Sequence, residues 1–199
     1  MDFSLAPEGD VILVVGAKQF RIRVDSLFLK RHSPVFRAML SPNFSEGQAL
    51  SSSSPREIDL PDDDPYAMQT LCAVMYLDFD HIPRTPTTRN VLDIVRLADK
   101  YECYNVLTTP SQAYGWLKSD NLTEGQDLVD LLAVAYLIRD QEAFIKLSSA
   151  LILRCGNSFA DLADEAIFDV LPWKAGWKRF EHICDFSRTL SGWPELINV

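Results

Sequence analysis

Glycine is scarce in this chain: there are eight in 199 residues, and none falls in a G-x-x-x-x-G-K-[ST] or G-x-G-x-x-G spacing. Backbone cradles for phosphate are therefore unsupported, because they need glycine where the chain wraps tightly around the anion. Histidine is scarcer still. His32, His81 and His182 stand in unrelated contexts, form no metal-holding pair at i, i+4, and read as structural or surface residues. The four cysteines, Cys72, Cys103, Cys155 and Cys184, include no C-x-x-C and read as reduced, mostly buried thiols. Positive charge is short as well, with 19 Lys and Arg against 28 Asp and Glu and a net charge of −9. Nucleic-acid binding draws most of its affinity from basic side chains set against phosphates. The local concentrations are Lys18 to Arg23, Lys30-Arg31 and Lys178-Arg179, and the first reads as the wet face of a strand. Neither DNA nor RNA is an expected partner. No apolar run approaches the ~20 residues that cross a bilayer, so no membrane partner is expected either. Met1-Asp2-Phe3-Ser4 lacks the basic-then-apolar pattern of a secretory signal. A cytoplasmic or nuclear location is expected.

What the chain does have is periodicity. Gly9-Asp10 opens the apolar run Val11 to Val15, Gly16-Ala17-Lys18 supplies a turn, and Phe20 to Val24 is apolar at every second position. This spacing predicts a hairpin. Asp25 is placed to cap a short helix bearing Leu27, Phe28 and Leu29. Ser33-Pro34 starts another, with Ser as cap and Pro at the first helical position; Val35, Phe36, Met39 and Leu40 share its apolar side. From Ser41 to Pro55 periodicity breaks, and the four serines Ser51 to Ser54 mark a flexible surface loop. Glu57 to Leu60 alternates as a short strand. Asp64-Pro65 then begins an amphipathic helix through Met68, Leu71, Cys72 and Met75. Asp78 to Thr88 is irregular, Val91 to Tyr101 is helical, and a shorter helix runs to about Leu117.

Beyond Thr123, where Thr123-Glu124-Gly125-Gln126 has capping-box spacing, strand signals vanish. Apolar residues recur at helical spacing from Leu128 to Ile138, from Phe144 to Leu151 and from Phe159 to Val170. A last stripe, Trp173, Trp177, Phe180 and Cys184, is core or an exposed partner site. The expected organisation of 119–199 is about four helices. The acidic set Asp59, Asp62, Asp63 and Asp64 lacks the Gly and terminal Glu of a calcium loop, and helix capping accounts for acidic residues there. No metal and no cofactor are expected. An enzyme whose site assembles only in space has no residue to mark it.

Taken in order, Gly9-Asp10-Val11, the strand Phe20 to Val24, Leu29, Ser33-Pro34-Val35-Phe36-Arg37-Ala38-Met39-Leu40 and Leu97-Ala98-Asp99-Lys100-Tyr101 resemble a BTB/POZ domain. The serine-rich insertion and Pro61-Asp62-Asp63-Asp64-Pro65 look like the BTB proteins of filamentous fungi. The resemblance implies an α+β fold, a small sheet capped by a helical cluster, followed by an all-helical extension. It divides the chain into a tail over 1–8, a BTB/POZ domain over 9–118 and a helical region over 119–199.

The resemblance also implies work done by binding proteins. Many members homodimerise, and many are substrate adaptors for a cullin-type ubiquitin ligase, with an apolar-x-Glu motif in the loop after the second helix. Phe44-Ser45-Glu46 stands at that place. Phe44 would fill an apolar pocket and Glu46 would meet a basic rim; the plainer alternative is that Phe44 tucks the loop onto the core. The apolar face around Phe28, Val35 and Met39 is either core or a self-association surface. Four positions depart from the family pattern. Asp25 replaces the usual His, Ser26 replaces the basic residue that repressor members set near the Asp10 position, and Tyr76-Leu77-Asp78 replaces Tyr-Thr-Gly. Met1 to Glu8 is too short for the helix and strand of exchanged-strand dimers, so weak or no homodimerisation is expected. A homo-oligomerisation or scaffold module without a ligase role is the alternative.

Overall fold

A computed structural model of the chain describes residues 2–118 and 125–154. Met1–Lys118 with Leu137–Arg139 form one compact unit, and the remainder forms a second.

The first unit contains four strands: β1 (Asp2–Ser4), β2 (Val11–Val15), β3 (Phe20–Val24) and, after two helices, β4 (Arg56–Leu60). They make one mixed sheet in the order β1-β3-β2-β4. β2 and β3 form the expected antiparallel hairpin, with Val15 opposite Phe20 and Val11 opposite Val24. Gly9 opens it at a place where no side chain fits, since a Cβ there would stand 2.4 Å from the carbonyl oxygen of Val24. β4 lies parallel to β2. A parallel return requires a crossover, which α1 (Ser26–His32), α2 (Pro34–Met39) and the segment 40–55 provide.

β1 differs from expectation. The stretch read as a tail adds a strand parallel to β3, with Asp2 opposite Arg21 and Ser4 opposite Arg23. Three residues carry no readable alternation, so only the free edge of β3 reveals the strand. The Phe3 ring also packs edge-on against His81, with centroids 4.8 Å apart.

The helical layer comprises α1, α2, α3 (Pro65–Tyr76), α4 (Thr88–Lys100) and α5 (Thr108–Tyr114). Ser33 caps α2 by accepting the Phe36 N–H, and Asp64 caps α3 by accepting the Ala67 N–H at 2.8 Å. Asp25, expected to cap α1, makes no side-chain cap bond. The Asp10 carboxylate takes that place from β2's entrance, receiving the Ser26 N–H at 2.6 Å. α3 is also not the amphipathic helix that its spacing predicts. Ala73 and Val74 are buried together with Met68, Leu71, Cys72 and Met75, so α3 is surrounded and forms the centre of the helical layer.

The core is closed by Tyr101, which stacks on Phe36 with centroids 4.3 Å apart and nearly parallel planes. Its hydroxyl donates to buried Asp63 at 2.5 Å, and Lys100 Nζ donates to the same carboxylate at 2.6 Å. Ser33 Oγ donates to the Tyr101 carbonyl. The segments Ser33 to Leu40 and Leu97 to Tyr101 are therefore bonded to one another. The fold of this unit is α+β.

The described residues from Gly125 onward form α6 (Gly125–Leu137) and α7 (Gln141–Arg154), with Asp140 capping α7 through the Ala143 N–H. The Tyr136 and Phe144 rings lie 6.4 Å apart. The helices expected beyond 154, with the Trp173, Trp177 and Phe180 stripe, fall outside the described residues, as do His182, Cys155 and Cys184.

Candidate functional site

Two surface features of the first unit bear on binding. The first is the turn after α2. Leu40 is buried and ends that helix, and the chain reverses through Ser41 N–H to Ala38 O, Phe44 N–H to Ser41 O and Gly47 N–H to Phe44 O. Ser45–Gly47 is a single 3-10 turn. It folds back closely enough that a Cβ on Gly47 would lie 2.1 Å from the Ser41 carbonyl oxygen, so glycine is required there. Phe44 enters the turn extended and its side chain is 53% exposed.

Arg56, the first residue of β4, fastens this turn to the sheet. Its Nη2 donates to the Ser45 carbonyl at 2.7 Å, and its own N–H donates to the Asp10 carbonyl. Ser45 Oγ donates to Glu46 Oε2 at 2.9 Å. A backbone N–H, the Ser45 hydroxyl and the nearby Arg56 charge together hold the Glu46 carboxyl below its ordinary range. Phe44 and Glu46 thus stand on one braced turn.

The serine run that follows is irregular, as expected, but it is not untethered. Ser51 and Ser54 pair as an isolated bridge. Arg23 Nη2 donates to the Ser52 carbonyl at 2.9 Å, while its Nε donates to the Gly9 carbonyl.

The second feature is an open apolar groove of about 490 Å³ between α1, the end of α3 and α5. Leu27, Phe28, Tyr76, Leu77, Phe79, Val106 and Tyr114 line it, with Arg31 and His32 as basic members. Phe28 stacks on Tyr76 with centroids 4.3 Å apart. The Tyr76 hydroxyl accepts the Asp25 N–H at 2.5 Å, and burial pushes its phenol well above the ordinary value. Leu27, Leu77 and Phe79 are 70%, 68% and 59% exposed. Of the three residues proposed for self-association only Phe28 lines the groove; Val35 and Met39 are half-buried on α2 and do not. Nothing in the sequence marks Leu27, Leu77 or Phe79 for this groove, and Phe79 falls in the irregular stretch Asp78 to Thr88.

The described residues assemble little chemistry. Cys72 and Cys103 are buried, and burial raises both thiols to about 12, which keeps them protonated and unreactive. Asp63 and Asp64 are engaged by Tyr101, Lys100 and the α3 N-terminus. No described helix is long and apolar enough to cross a membrane.

The first unit is thus a small mixed sheet under a helical layer, bearing a braced aromatic turn and an apolar groove. A BTB/POZ domain model matches residues 6–113, more than half of the 199 residues, and the chain belongs to the BTB/POZ family, a family of protein-interaction domains. No curated protein matches the chain.

Proposed function

We propose that this protein is a substrate adaptor for a cullin-type ubiquitin ligase, docking through Phe44 with Glu46 beside it, and that it works in the cytoplasm or nucleus. The observation that carries this reading is the half-exposed Phe44 ring on a turn that Arg56 and Gly47 hold in one shape. A pre-shaped aromatic loses little conformational freedom on binding, which is how interface anchors gain affinity. Calorimetry against purified cullins tests it. Phe44→Ala should cost ~2 kcal/mol or more, some thirtyfold in affinity, while Glu46→Ala should weaken binding less and mainly slow association. If the unmutated protein binds no cullin, the ligase reading ends and an interaction module with another partner remains.

One observation favours homo-oligomerisation as the second reading: the groove exposes Leu27, Leu77 and Phe79 on one surface. A concentration-independent monomer in light scattering removes it, whereas a dimer dissolved by Leu27→Asp supports it.

A further inference from the structure

The serine run combines two properties that a modifying enzyme needs. Ser52, Ser53 and Ser54 are exposed. Ser54 precedes Pro55, whose ring drives the preceding residue away from helical backbone into an extended shape that an enzyme cleft can accept. Two residues on stands Arg56, and in an extended chain positions two apart face the same side. Other Ser-Pro and Thr-Pro pairs among the described residues lack this combination. Ser33 is buried, Ser41 is half-buried, Thr109 lies inside α5, and Thr85-Pro86 is followed by threonines rather than a cation.

We propose that Ser54 is a phosphorylation site for a proline-directed protein kinase, and that its phosphate draws Arg56 off the Phe44–Gly47 turn and loosens the docking surface. The modification site stands by itself; its effect on docking rests on the adaptor reading above. In the transfer, Ser54 Oγ attacks the γ-phosphorus of a nucleoside triphosphate. The bond from that phosphorus to the bridging oxygen breaks, the nucleoside diphosphate leaves, and the hydroxyl proton passes to the kinase's base. The product adds about −1.5 to −2 of charge and three strong acceptor oxygens. A guanidinium binds such a group through two parallel, charge-assisted bonds, whereas the Ser45 carbonyl offers Arg56 a single neutral acceptor at 2.7 Å. Arg23 keeps the serine turn on the sheet by holding the Ser52 carbonyl, so the Ser54-Pro55-Arg56 stretch leaves a tethered turn. Without its Arg56 brace the turn keeps its backbone bonds and the exposed side-chain bonds from Ser45 to Glu46 and from Gln48 to the Pro42 carbonyl, and loses its tie to the sheet.

The test is to phosphorylate the full chain with a proline-directed kinase and ATP, map the phosphate by fragmentation mass spectrometry, and follow amide exchange. The phosphate is expected on Ser54, and Pro55→Ala should abolish it. Exchange at Gly47 and Gln48, whose N–H groups close the turn, should then quicken about tenfold, the effect of losing one charge-assisted bond. Arg56→Gln should show the faster exchange without phosphate and no further change with it. Phosphate placed only on other residues, or unaltered exchange in the Ser54-phosphorylated protein, overturns the proposal. Where a cullin binds, phosphorylation should weaken it at least about tenfold by the same loss. If no cullin binds the unmodified chain, the adaptor reading falls and the exchange result alone judges the switch.

Discussion

Asp10 holds Ser26 with both carboxylate oxygens, Oδ1 accepting the backbone N–H at 2.6 Å and Oδ2 the hydroxyl at 2.8 Å. Where family members of the repressor kind place a basic residue, this chain uses a buried serine that supplies two donors. Asp10→Ala should cost about 1–3 kcal/mol, because it leaves a buried N–H and hydroxyl unmet at the start of α1. Ser26→Ala, which removes one bond, should cost about 1 kcal/mol. Denaturant titration checks both, and equal stability in all three proteins would show that the pair carries no net energy.

Tyr101→Phe keeps the stack on Phe36 but strips buried Asp63 of its hydroxyl donor. Lys100 still reaches the carboxylate, so the loss should be about 1–3 kcal/mol. Tyr101→Ala should cost about 3–5 kcal/mol, since it also opens a cavity. The order of the two variants in chemical unfolding is the test; a harmless Tyr101→Phe would mean that Lys100 alone satisfies Asp63.

Leu77 ends α3 in the left-handed conformation, at φ 57°. A side chain there costs about 1–2 kcal/mol, against roughly 0.5–1 kcal/mol of extra chain entropy lost by glycine. Leu77→Gly should therefore stabilise the fold by about 0.5–1 kcal/mol while thinning the groove wall. A lowered melting temperature would show that the exposed leucine packs better than its position suggests.

Phe44→Ala should change the stability by no more than a surface substitution does, about ±0.5 kcal/mol, because the ring is half exposed. A drop of several degrees would assign Phe44 to the core and remove the main support of the adaptor reading. The carboxyl of Glu46 is held below its ordinary value of 4.5, so it keeps its charge as pH falls through that value. Any Glu46-dependent association should persist there and fade only at lower pH, read by calorimetry across an acid series.

Trypsin aside, a broad protease should cut first within Ser51 to Pro55 and only later within Val91 to Leu107. Ser52 to Ser54 are exposed and the bonds within the serine run are short-range and solvent-facing, whereas α4 is buried along Val91, Leu92, Ile94 and Val95. Cleavage in the reverse order would place the stable core elsewhere.

Much of the fold could be read from residues whose signals are local. The hairpin follows from alternation between Val11 and Val24, and the starts of α2 and α3 from Ser33-Pro34 and Asp64-Pro65, whose caps the structure contains. Those signals work because capping and alternation involve neighbours a few residues apart. β1 was not readable, since its three residues need the β3 edge. The surrounded state of α3 does have a signal, the unbroken apolar run Leu71-Cys72-Ala73-Val74-Met75, which the i, i+3, i+4 spacing alone does not weigh. Sequence proximity points to Asp25 as the cap of α1, whereas the acceptor is Asp10, brought beside Ser26 by the pairing of β2 with β3.

The sequence by itself determined the family, the order of the strands and helices from β2 to α5, and the location of Phe44 and Glu46 on a loop after α2. Tertiary structure alone decided how that loop is held, through Arg56 reaching Ser45 from β4 and Arg23 reaching Ser52 from β3. It also decided that Leu27, Phe28, Leu77 and Phe79 line one groove. The physical reason is distance along the chain. Caps and periodicity act within a turn or two, but a guanidinium on a strand finds its carbonyl only after parallel pairing brings β4 beside β2. Apolar residues from separate helices likewise share a surface only once those helices have packed.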